Sequence, residues 1–316
     1  MTQLARQETT SQATAAIIRG LQATPKQLSP ALFYDKRGSE LFDQICELPE
    51  YYVTRVETDI LRANAQAIAQ AIGEQTLLVE LGSGSSIKTR LLLDALASIA
   101  AYVPVDISRE HLLETAASLA ADYPAIDVLP LCADFLQPFI VPRTKRPVER
   151  VVFFFPGSTI GNLDTANAKK LLTRLRTMAG HKGGLVIGVD LVKDPAILRA
   201  AYNDAAGVTA DFNLNVLQHL NREHDADFDL SAFEHLAVWD EAQRRIEMRL
   251  ISKRVQSVRV ADTQLAFAAG EYIVTERCHK YTLAGFAALA LACGWSSDKV
   301  WTDSDDQFSV QYLRAI

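Results

Sequence analysis

The clearest evidence for the fold class is the stretch TLLVELGSGSSIKTRLLL, residues Thr76 to Leu93. Its first six residues form an apolar run typical of a buried strand, GSGSS forms a glycine turn, and IKTRLLL has the periodicity of an amphipathic helix. Further apolar runs recur along the chain, each followed by a helical pattern: AYVPVD, IDVLPL, VVFFFP and GLVIGVD. This alternation predicts an α/β fold, with a parallel sheet and helices on both of its faces.

Length and composition limit the classes of protein that this chain can belong to. Its 316 residues suit two domains or one enlarged α/β domain, and its 49% hydrophobic and 22% charged residues are ordinary for a globular protein. The formal net charge of -6, with no basic arm, argues against a nucleic-acid partner. No apolar run reaches the ~18–20 residues of a membrane span, which argues against a membrane partner.

Cysteine and histidine spacing argues against a disulfide framework or a metal site. The four cysteines show no CxxC pairing, and the six histidines show no HExxH pattern. Together with the absence of a signal-peptide pattern, this predicts a cytoplasmic protein, and we expect a monomer with no metal.

Outside the alternating region the chain changes character. Residues 1–15 are polar and are expected to be loose, and residues 196–245 are expected to be helical. The segment IEMRLISKRVQSVRVADTQLAF alternates in the manner of two or three hairpin strands. Near the C-terminus, KVWTDSDDQFSVQYLRA predicts two strands joined by an acidic turn, which would close the sheet.

The glycine turn is the first candidate ligand site. In an open parallel sheet, ligands bind beyond the carboxyl ends of the strands, where glycines allow the backbone to approach them. Gly82 and Gly84 occupy that place. The dinucleotide fingerprint GxGxxG is incomplete because Ile87 stands where the third glycine would be. This argues against a nicotinamide cofactor.

Acidic and aromatic residues after the next strands favour S-adenosylmethionine, with S-adenosylhomocysteine as the product. Asp106 closes the following strand, where its carboxylate can accept both ribose hydroxyls. Asp134 can accept from the adenine amino group, and Phe135 can pack on the adenine ring. Lys88 is either a solvated charge or a partner of the cofactor carboxylate. Taken singly, each of these residues is also common in an α/β protein without this ligand.

Three further motifs, FYDKRGSELFDQICELPEYYVTRVE, FFFPGSTIGN and AAGEYIVTERCHKYT, are too specific for packing alone. From about Thr24 to the C-terminus, the chain resembles the histidine-specific Nα-methyltransferases of the ergothioneine pathway. The resemblance implies a Rossmann-type class I methyltransferase domain plus a second α+β substrate-binding domain. It assigns residues 16–56 and 198–286 to the substrate domain, and residues 57–197 and 287–316 to the methyltransferase domain.

The resemblance also implies trimethylation of the α-amino group of L-histidine to hercynine, and it assigns roles to matching positions. It implies that Tyr51 and Tyr202 hold the substrate carboxylate and that Asn162 contacts the amine near Tyr34. The remaining implied substrate contacts are the loop residues Gly157 and Thr159 and the imidazole contacts Glu276, Cys278, Met248 and Phe42. Cys278 departs from the pattern, because many relatives have serine there, which forms stronger hydrogen bonds.

Two alternatives compete with this interpretation. The first is a methyltransferase for another amino acid or for an aromatic amine such as a tryptophan derivative. The second is a regulator that binds S-adenosylmethionine without catalysis, which would explain the glycine turn but not the tyrosines. Without the resemblance, the tyrosines, Met248 and Glu276 would be interpreted as interface, core and surface residues.

Overall fold

The computed structural model describes residues 3–84, 86–96 and 98–316. In chain order, its helices are α1 (Gln3–Gln22), α2 (Lys36–Glu47), α3 (Tyr52–Ile72), α4 (Ile87–Ala95), α5 (Arg109–Asp122), α6 (Thr165–Ala179), α7 (Pro195–Ala201), α8 (Val208–Glu223) and α9 (Leu283–Leu291). Its strands are β1 (Lys26–Gln27), β2 (Thr76–Leu81), β3 (Ile99–Asp106), β4 (Leu131–Cys132), β5 (Arg150–Phe155), β6 (Gly184–Asp190), β7 (Phe233–Asp240), β8 (Arg245–Ser252), β9 (Gln256–Val260), β10 (Thr263–Phe267), β11 (Tyr272–His279), β12 (Trp295–Thr302) and β13 (Phe308–Ala315).

The chain divides into two compact units. Unit 1 contains the described residues up to Tyr52 together with Lys193–Cys278, and unit 2 contains Val53–Val192 together with His279–Ile316. Assigning substrate binding to one unit and cofactor binding to the other stays a prediction.

Unit 2 is built on a seven-stranded sheet in the order β12-β13-β6-β5-β2-β3-β4. The strands from β6 to β4 are parallel, whereas β13 runs antiparallel to both β6 and β12. The predicted α/β class is therefore confirmed, and so is the C-terminal hairpin that closes the sheet. The chain builds β3 and β4 on one side of β2 and then returns to place β5 and β6 on the other. The switch point of the sheet lies between β2 and β5.

Burial on both faces explains why these strands are continuous apolar runs rather than alternating ones. Every residue of β2 and β6 is buried. Val79, Phe153 and Ile187 lie in one core cluster with Leu172 of α6 and Phe286 of α9, and each is at most 1% exposed.

Unit 1 contains a four-stranded sheet in the order β1-β11-β8-β7 and a separate β9-β10 hairpin. β7 pairs with β8 in an antiparallel register from Phe233 opposite Ser252 to Asp240 opposite Arg245. Among the described helices of both units, none has the length and apolar character that crossing a membrane requires.

Two predicted segments differ from the structure at the level of secondary structure. The region 196–245 is not helical throughout, since β7 forms over Phe233–Asp240. Pairing with β8 along its whole length, with Phe233 and Ala237 buried, stabilises a strand there. The predicted strand IDVLPL shrinks to an isolated bridge at Val128 and the two residues of β4, because Pro130 has no N–H to donate to a neighbouring strand.

The N-terminal segment also differs from expectation. From Gln3 onward it belongs to α1, while Met1 and Thr2 lie outside the described residues. Alanine, glutamine and arginine are good helix formers, and the helix buries Ile17 and Leu21.

Candidate active site

The glycine turn follows β2 at the switch point of the unit 2 sheet. Gly82 has a φ of 71° and Gly84 a φ of 44°, both in the region that favours glycine. The N–H of Gly82 donates to the Val105 carbonyl of β3 at 2.8 Å, which holds the turn against the neighbouring strand. Ser85, within the predicted turn, lies outside the described residues.

The acidic side chains predicted from the sequence lie at the carboxyl ends of β3 and β4, the two strands on one side of β2. Asp106 ends β3, and its Oδ1 accepts a hydrogen bond from the Ser108 N–H at 2.9 Å. Asp134 follows β4, and its Oδ1 accepts from the Leu136 N–H at 2.8 Å. The structure therefore places both carboxylates at the same edge of the sheet as the glycines.

Phe135 lies beside the glycine turn. A Cβ added at Gly82 would lie 3.8 Å from Cε1 of Phe135, whose ring also packs edge-on against Phe155 at 5.5 Å between centroids. Arg174 of α6 donates to the Phe135 carbonyl and, at 2.9 Å, to the Leu136 carbonyl. These bonds fix the segment that carries Asp134 and Phe135.

Lys88, in the first turn of α4, forms an ion pair with Glu57 of α3. The Glu57 side chain is fully buried, and its carboxylate also accepts from the Gly157 N–H, at 3.0 Å to Oε1 and 2.8 Å to Oε2. Sequence reasoning missed Glu57, although a signal existed: it stands on the apolar stripe of α3 with Val53, Ile60 and Leu61.

A second buried carboxylate, Glu80, stands two residues before Gly82. It accepts hydrogen bonds from Thr89 Oγ1 at 2.6 Å and from the Tyr102 hydroxyl. Burial raises the pKa of Glu80 to about 7, even though these hydrogen bonds and the nearby Lys88 ammonium oppose the shift. Glu80 therefore binds a proton more readily than an ordinary carboxylate.

The GSTIGN segment forms a strained loop after β5. Gly157 has a φ of 78° and Ser158 a φ of 55°, and a 3-10 turn over Thr159–Asn162 follows. The Ser158 hydroxyl accepts from the Asp190 N–H at 2.9 Å, and Thr159 Oγ1 donates to the Pro156 carbonyl at 3.0 Å. These contacts place the half-buried Asn162 at the end of the loop.

Within unit 1, a small pocket contains about 320 Å³ of empty space, a volume that includes the open solvent at its mouth. Six of its lining residues were predicted from the sequence, and the other four were missed. The lining consists of Tyr34, Phe42, Tyr51, Tyr202, Met248 and Glu276 with the missed Ile45, Ala201, Thr209 and Phe212. Cys278 is not among the described lining residues; it is buried two positions after Glu276 on β11.

Aromatic rings form much of the pocket wall. Phe42 packs edge-on against Tyr34 at 5.9 Å and against Tyr51 at 6.2 Å, and Tyr51 packs edge-on against Tyr202 at 6.3 Å. Burial raises the pKa of the Tyr51 hydroxyl well above its usual range, and the negative charges of neighbouring groups, including Glu276, add to the shift. Tyr51 is therefore a neutral hydrogen-bond donor at physiological pH.

Local sequence explains how the FYDKRG motif shapes this pocket. Asp35 caps α2 by accepting from the Gly38 N–H at 2.7 Å, and it also accepts from Asn215 of α8 at 2.9 Å. A Cβ at Gly38 would lie 1.6 Å from the Phe33 carbonyl oxygen, so only glycine allows α2 to begin this close to the preceding turn. The arrangement fixes Tyr34 just before the N-cap of α2 and Phe42 on the helix itself.

Two residues that are not among the described lining residues, His235 and Asn213, support the pocket residue Tyr202. His235 of β7 hydrogen-bonds through Nε2 to the Tyr202 carbonyl at 2.8 Å, and its Nδ1 contacts Asn213 Nδ2 at 2.8 Å. Burial lowers the pKa of His235, which favours a neutral ring that donates from Nε2 and accepts at Nδ1. The sequence showed only that the histidines lack metal-ligand spacing, and no signal in it connected His235 to Tyr202.

The residues of the glycine turn fit S-adenosylmethionine. A Cβ at Gly84 would have no described atom within 4 Å, so the turn leaves open space above its backbone. Carboxylates able to accept from hydroxyl and amino groups and an aromatic ring stand at the same edge. The roles assigned to individual residues here stay predictions.

The sheet order and the glycine turn at its switch point define a Rossmann-type fold. The solved structure of the mitomycin 7-O-methyltransferase MmcR shares this fold, with a TM-score of 0.50 and 13% identity, covering 97% of this chain and 67% of that chain. The chain belongs to the histidine-specific, S-adenosylmethionine-dependent methyltransferase family, whose model matches residues 13–315. The family inferred from the sequence motifs is thereby confirmed.

Curated relatives agree with this family. The chain is 45% identical over 300 residues to the histidine N-alpha-methyltransferase of Mycobacterium tuberculosis, covering 93% of this chain and 92% of that protein. It is also 45% identical over 297 residues to the protein of the same name from Mycolicibacterium smegmatis. A fungal relative, the ergothioneine biosynthesis protein 1 of Neurospora crassa, is 35% identical over 205 residues, which cover 62% of this chain and 23% of that protein.

Proposed function

We propose that this protein transfers three methyl groups from S-adenosylmethionine to the α-amino group of L-histidine, producing hercynine in the first step of ergothioneine biosynthesis. The observation that carries the proposal is the unit 1 pocket. It joins an aromatic wall to one acidic side chain, Glu276, among its described lining residues, in a chain whose family is histidine-specific. An imidazole ring suits such a pocket because it is flat and carries an N–H donor.

The two ends of histidine call for different partners. At the imidazole end, the Glu276 carboxylate accepts the ring N–H, while Met248 and Phe42 pack against the ring faces. At the carboxylate end, the hydroxyls of Tyr51 and Tyr202 donate charge-assisted hydrogen bonds. The raised pKa of Tyr51 keeps its hydroxyl protonated, and therefore able to donate, throughout the physiological range.

In unit 2, the side-chain carbonyl of Asn162 accepts from the α-amine and leaves the nitrogen lone pair available. Gly82 and Gly84 allow close approach of a ligand to the backbone. Asp106 accepts from ribose hydroxyls, and Phe135 packs on adenine. S-adenosylmethionine, when bound, supplies an electrophilic methyl group on its sulfonium.

Mass spectrometry tests the substrate directly. The protein is incubated with S-adenosylmethionine and, in separate reactions, with each of the twenty amino acids. We expect products with one, two and three added methyl groups from histidine. Asn162→Ala should reduce the yield, whereas Asn167→Ala, which changes an exposed asparagine at the start of α6, should not.

Each alternative has its own outcome in this experiment. Methylated tryptophan without methylated histidine would show that the substrate is another amino acid. Binding of S-adenosylmethionine without any methylated product would indicate a regulator. A cytoplasmic location and a monomeric state stay predictions from the sequence.

A further inference from the structure

Glu57 is a fully buried carboxylate of unit 2 that none of the assigned roles uses. Its side chain accepts from the Gly157 N–H with both oxygens and forms an ion pair with Lys88. A carboxylate buried away from solvent is stabilised only when an opposite charge and hydrogen-bond donors contact it. Both are present here. The position of Glu57 therefore depends on two segments far from it in sequence.

The two partners of Glu57 belong to the two sides of the switch point. Lys88 stands in the first turn of α4, directly after the glycine turn that follows β2. Gly157 follows β5, the parallel neighbour of β2. Ligands of open α/β sheets bind where the strand order reverses, so one carboxylate connects both rims of the predicted cofactor site.

Space for this carboxylate is made by a glycine on the next strand. A Cβ at Gly188 of β6 would lie 1.9 Å from Oε1 and 2.9 Å from Cδ of Glu57. Glycine weakens a strand interior, so its presence in the fully buried β6 is explained by the side chain that it admits. The chain thus accommodates Glu57 at the expense of strand stability.

The loop held by Glu57 adopts a backbone that needs support. Ser158, directly after Gly157, has a φ of 55°, a conformation that persists in a non-glycine residue only when its surroundings impose it. Two contacts supply that support: the Gly157 N–H donates to the Glu57 carboxylate, and the Asp190 N–H donates to the Ser158 hydroxyl. Asn162, the predicted amine contact, lies five residues after Gly157 on the same loop.

We propose that Glu57 is a positioning residue for methyl transfer, holding Lys88 beside the glycine turn and the Gly157–Asn162 loop in its strained form. This inference rests on the proposed function, since it concerns the alignment of the residues that serve that reaction. If the buried ion pair served stability alone, its loss would lower the melting temperature without a selective effect on turnover, and the two roles are therefore separable.

Glu57→Gln tests the role with little change of shape. Glutamine can still accept from the Gly157 N–H but no longer carries the charge that pairs with Lys88. We expect kcat for histidine to fall by about 10- to 150-fold, the range for losing a hydrogen bond to a charged group. The KM for histidine should change by less than about threefold, because the imidazole and carboxylate contacts lie in unit 1.

Two further variants sharpen the test. Asp59→Asn is the matched control: it makes the same acid-to-amide change two residues away on α3, in an exposed ion pair with Arg62, and should leave kcat and KM unchanged. Gly188→Ala leaves every charged group in place but forces the Glu57 carboxylate to move, and should lower kcat as Glu57→Gln does. A folded variant is recognised by an unchanged circular dichroism spectrum.

Two readouts do not depend on histidine as the substrate. Calorimetry should show weaker S-adenosylhomocysteine binding in Glu57→Gln, and hydrogen exchange should be faster in the peptide that contains residues 157–162. Wild-type kcat and wild-type exchange in folded Glu57→Gln would overturn the inference. A fall in kcat matched by an equal rise in KM and by large thermal destabilisation would overturn it too. If the wild-type protein does not methylate histidine, the proposed function fails, while binding and exchange still decide the role of Glu57.

Discussion

Replacing Glu80 by glutamine should change how stability depends on pH. The pKa of Glu80 is about 7 in the folded protein and near 4.5 for an ordinary glutamate. The folded state therefore holds the proton between these two values while the unfolded state has released it. Stability falls as pH rises through this window, and the loss is complete above pH 7.

The size of the effect follows from the width of this window. Each unit of pKa difference corresponds to about 1.4 kcal/mol, so Glu80 removes about 3 kcal/mol of unfolding free energy between pH 4.5 and pH 7. Glutamine cannot ionise, and its amide oxygen can still accept from Tyr102 and Thr89, which both donate to the same oxygen of Glu80. The variant should gain stability relative to the wild type as pH rises from 5 to 8.

Urea unfolding at pH 5, 6, 7 and 8 measures this difference. Trp295, which is fully buried in unit 2, provides a fluorescence signal from the unit that contains Glu80. Asp59→Asn, which removes an exposed carboxylate, is the control and should show no pH-dependent difference. A constant offset between Glu80→Gln and the wild type at all four pH values would contradict this prediction, because it would mean that Glu80 ionises normally in the folded protein.

Five further substitutions, one of them used only in a double variant, test the predicted site. Glu276→Ala should lower kcat/KM for histidine by about 10- to 150-fold, because the imidazole loses a charged hydrogen-bond partner. Combining it with Met248→Val should favour substrates that carry an indole ring. Equal losses for histidine and tryptophan in competition assays would contradict this prediction. Cys278→Ser should modestly improve histidine binding or turnover in steady-state kinetics, because a hydroxyl forms stronger hydrogen bonds than a thiol; weaker binding would count against a role near the imidazole. Asp106→Ala should weaken the binding of S-adenosylmethionine by about 1.5–3 kcal/mol, measured by calorimetry, while histidine binding is retained. Gly82→Val should abolish cofactor binding, because a β-branched residue is strained at a φ of 71°; unchanged affinity in a folded variant would show that the turn does not contact the ligand.

Much of unit 2 could be predicted from the residues alone. The apolar runs of β2, β5 and β6 are local patterns, and burial on both faces makes them continuous and easy to recognise. Gly82, Asp106 and Phe135 could be placed at one edge of the sheet because parallel strands present their carboxyl ends together. β7 and the shortened β4 were harder, since pairing with β8 and the missing N–H of Pro130 matter only once neighbouring strands are in place.

The residues of the unit 1 pocket likewise include some that could be predicted from the sequence and some that could not. Motif resemblance pointed to Tyr34, Phe42, Tyr51, Tyr202, Met248 and Glu276, whereas Phe212 and Thr209 became visible only when α8 packed against α2.

The Glu57 contacts show the physical reason for this limit. A helical stripe marks Glu57 as a buried position, but periodicity over a few turns carries no information about a partner at Gly157, 100 residues away. The requirement for glycine at Gly188 likewise arises only where β6 meets that carboxylate. Local patterns in the chain specify which segments are strands and helices, and long-range packing specifies which buried charge meets which backbone N–H.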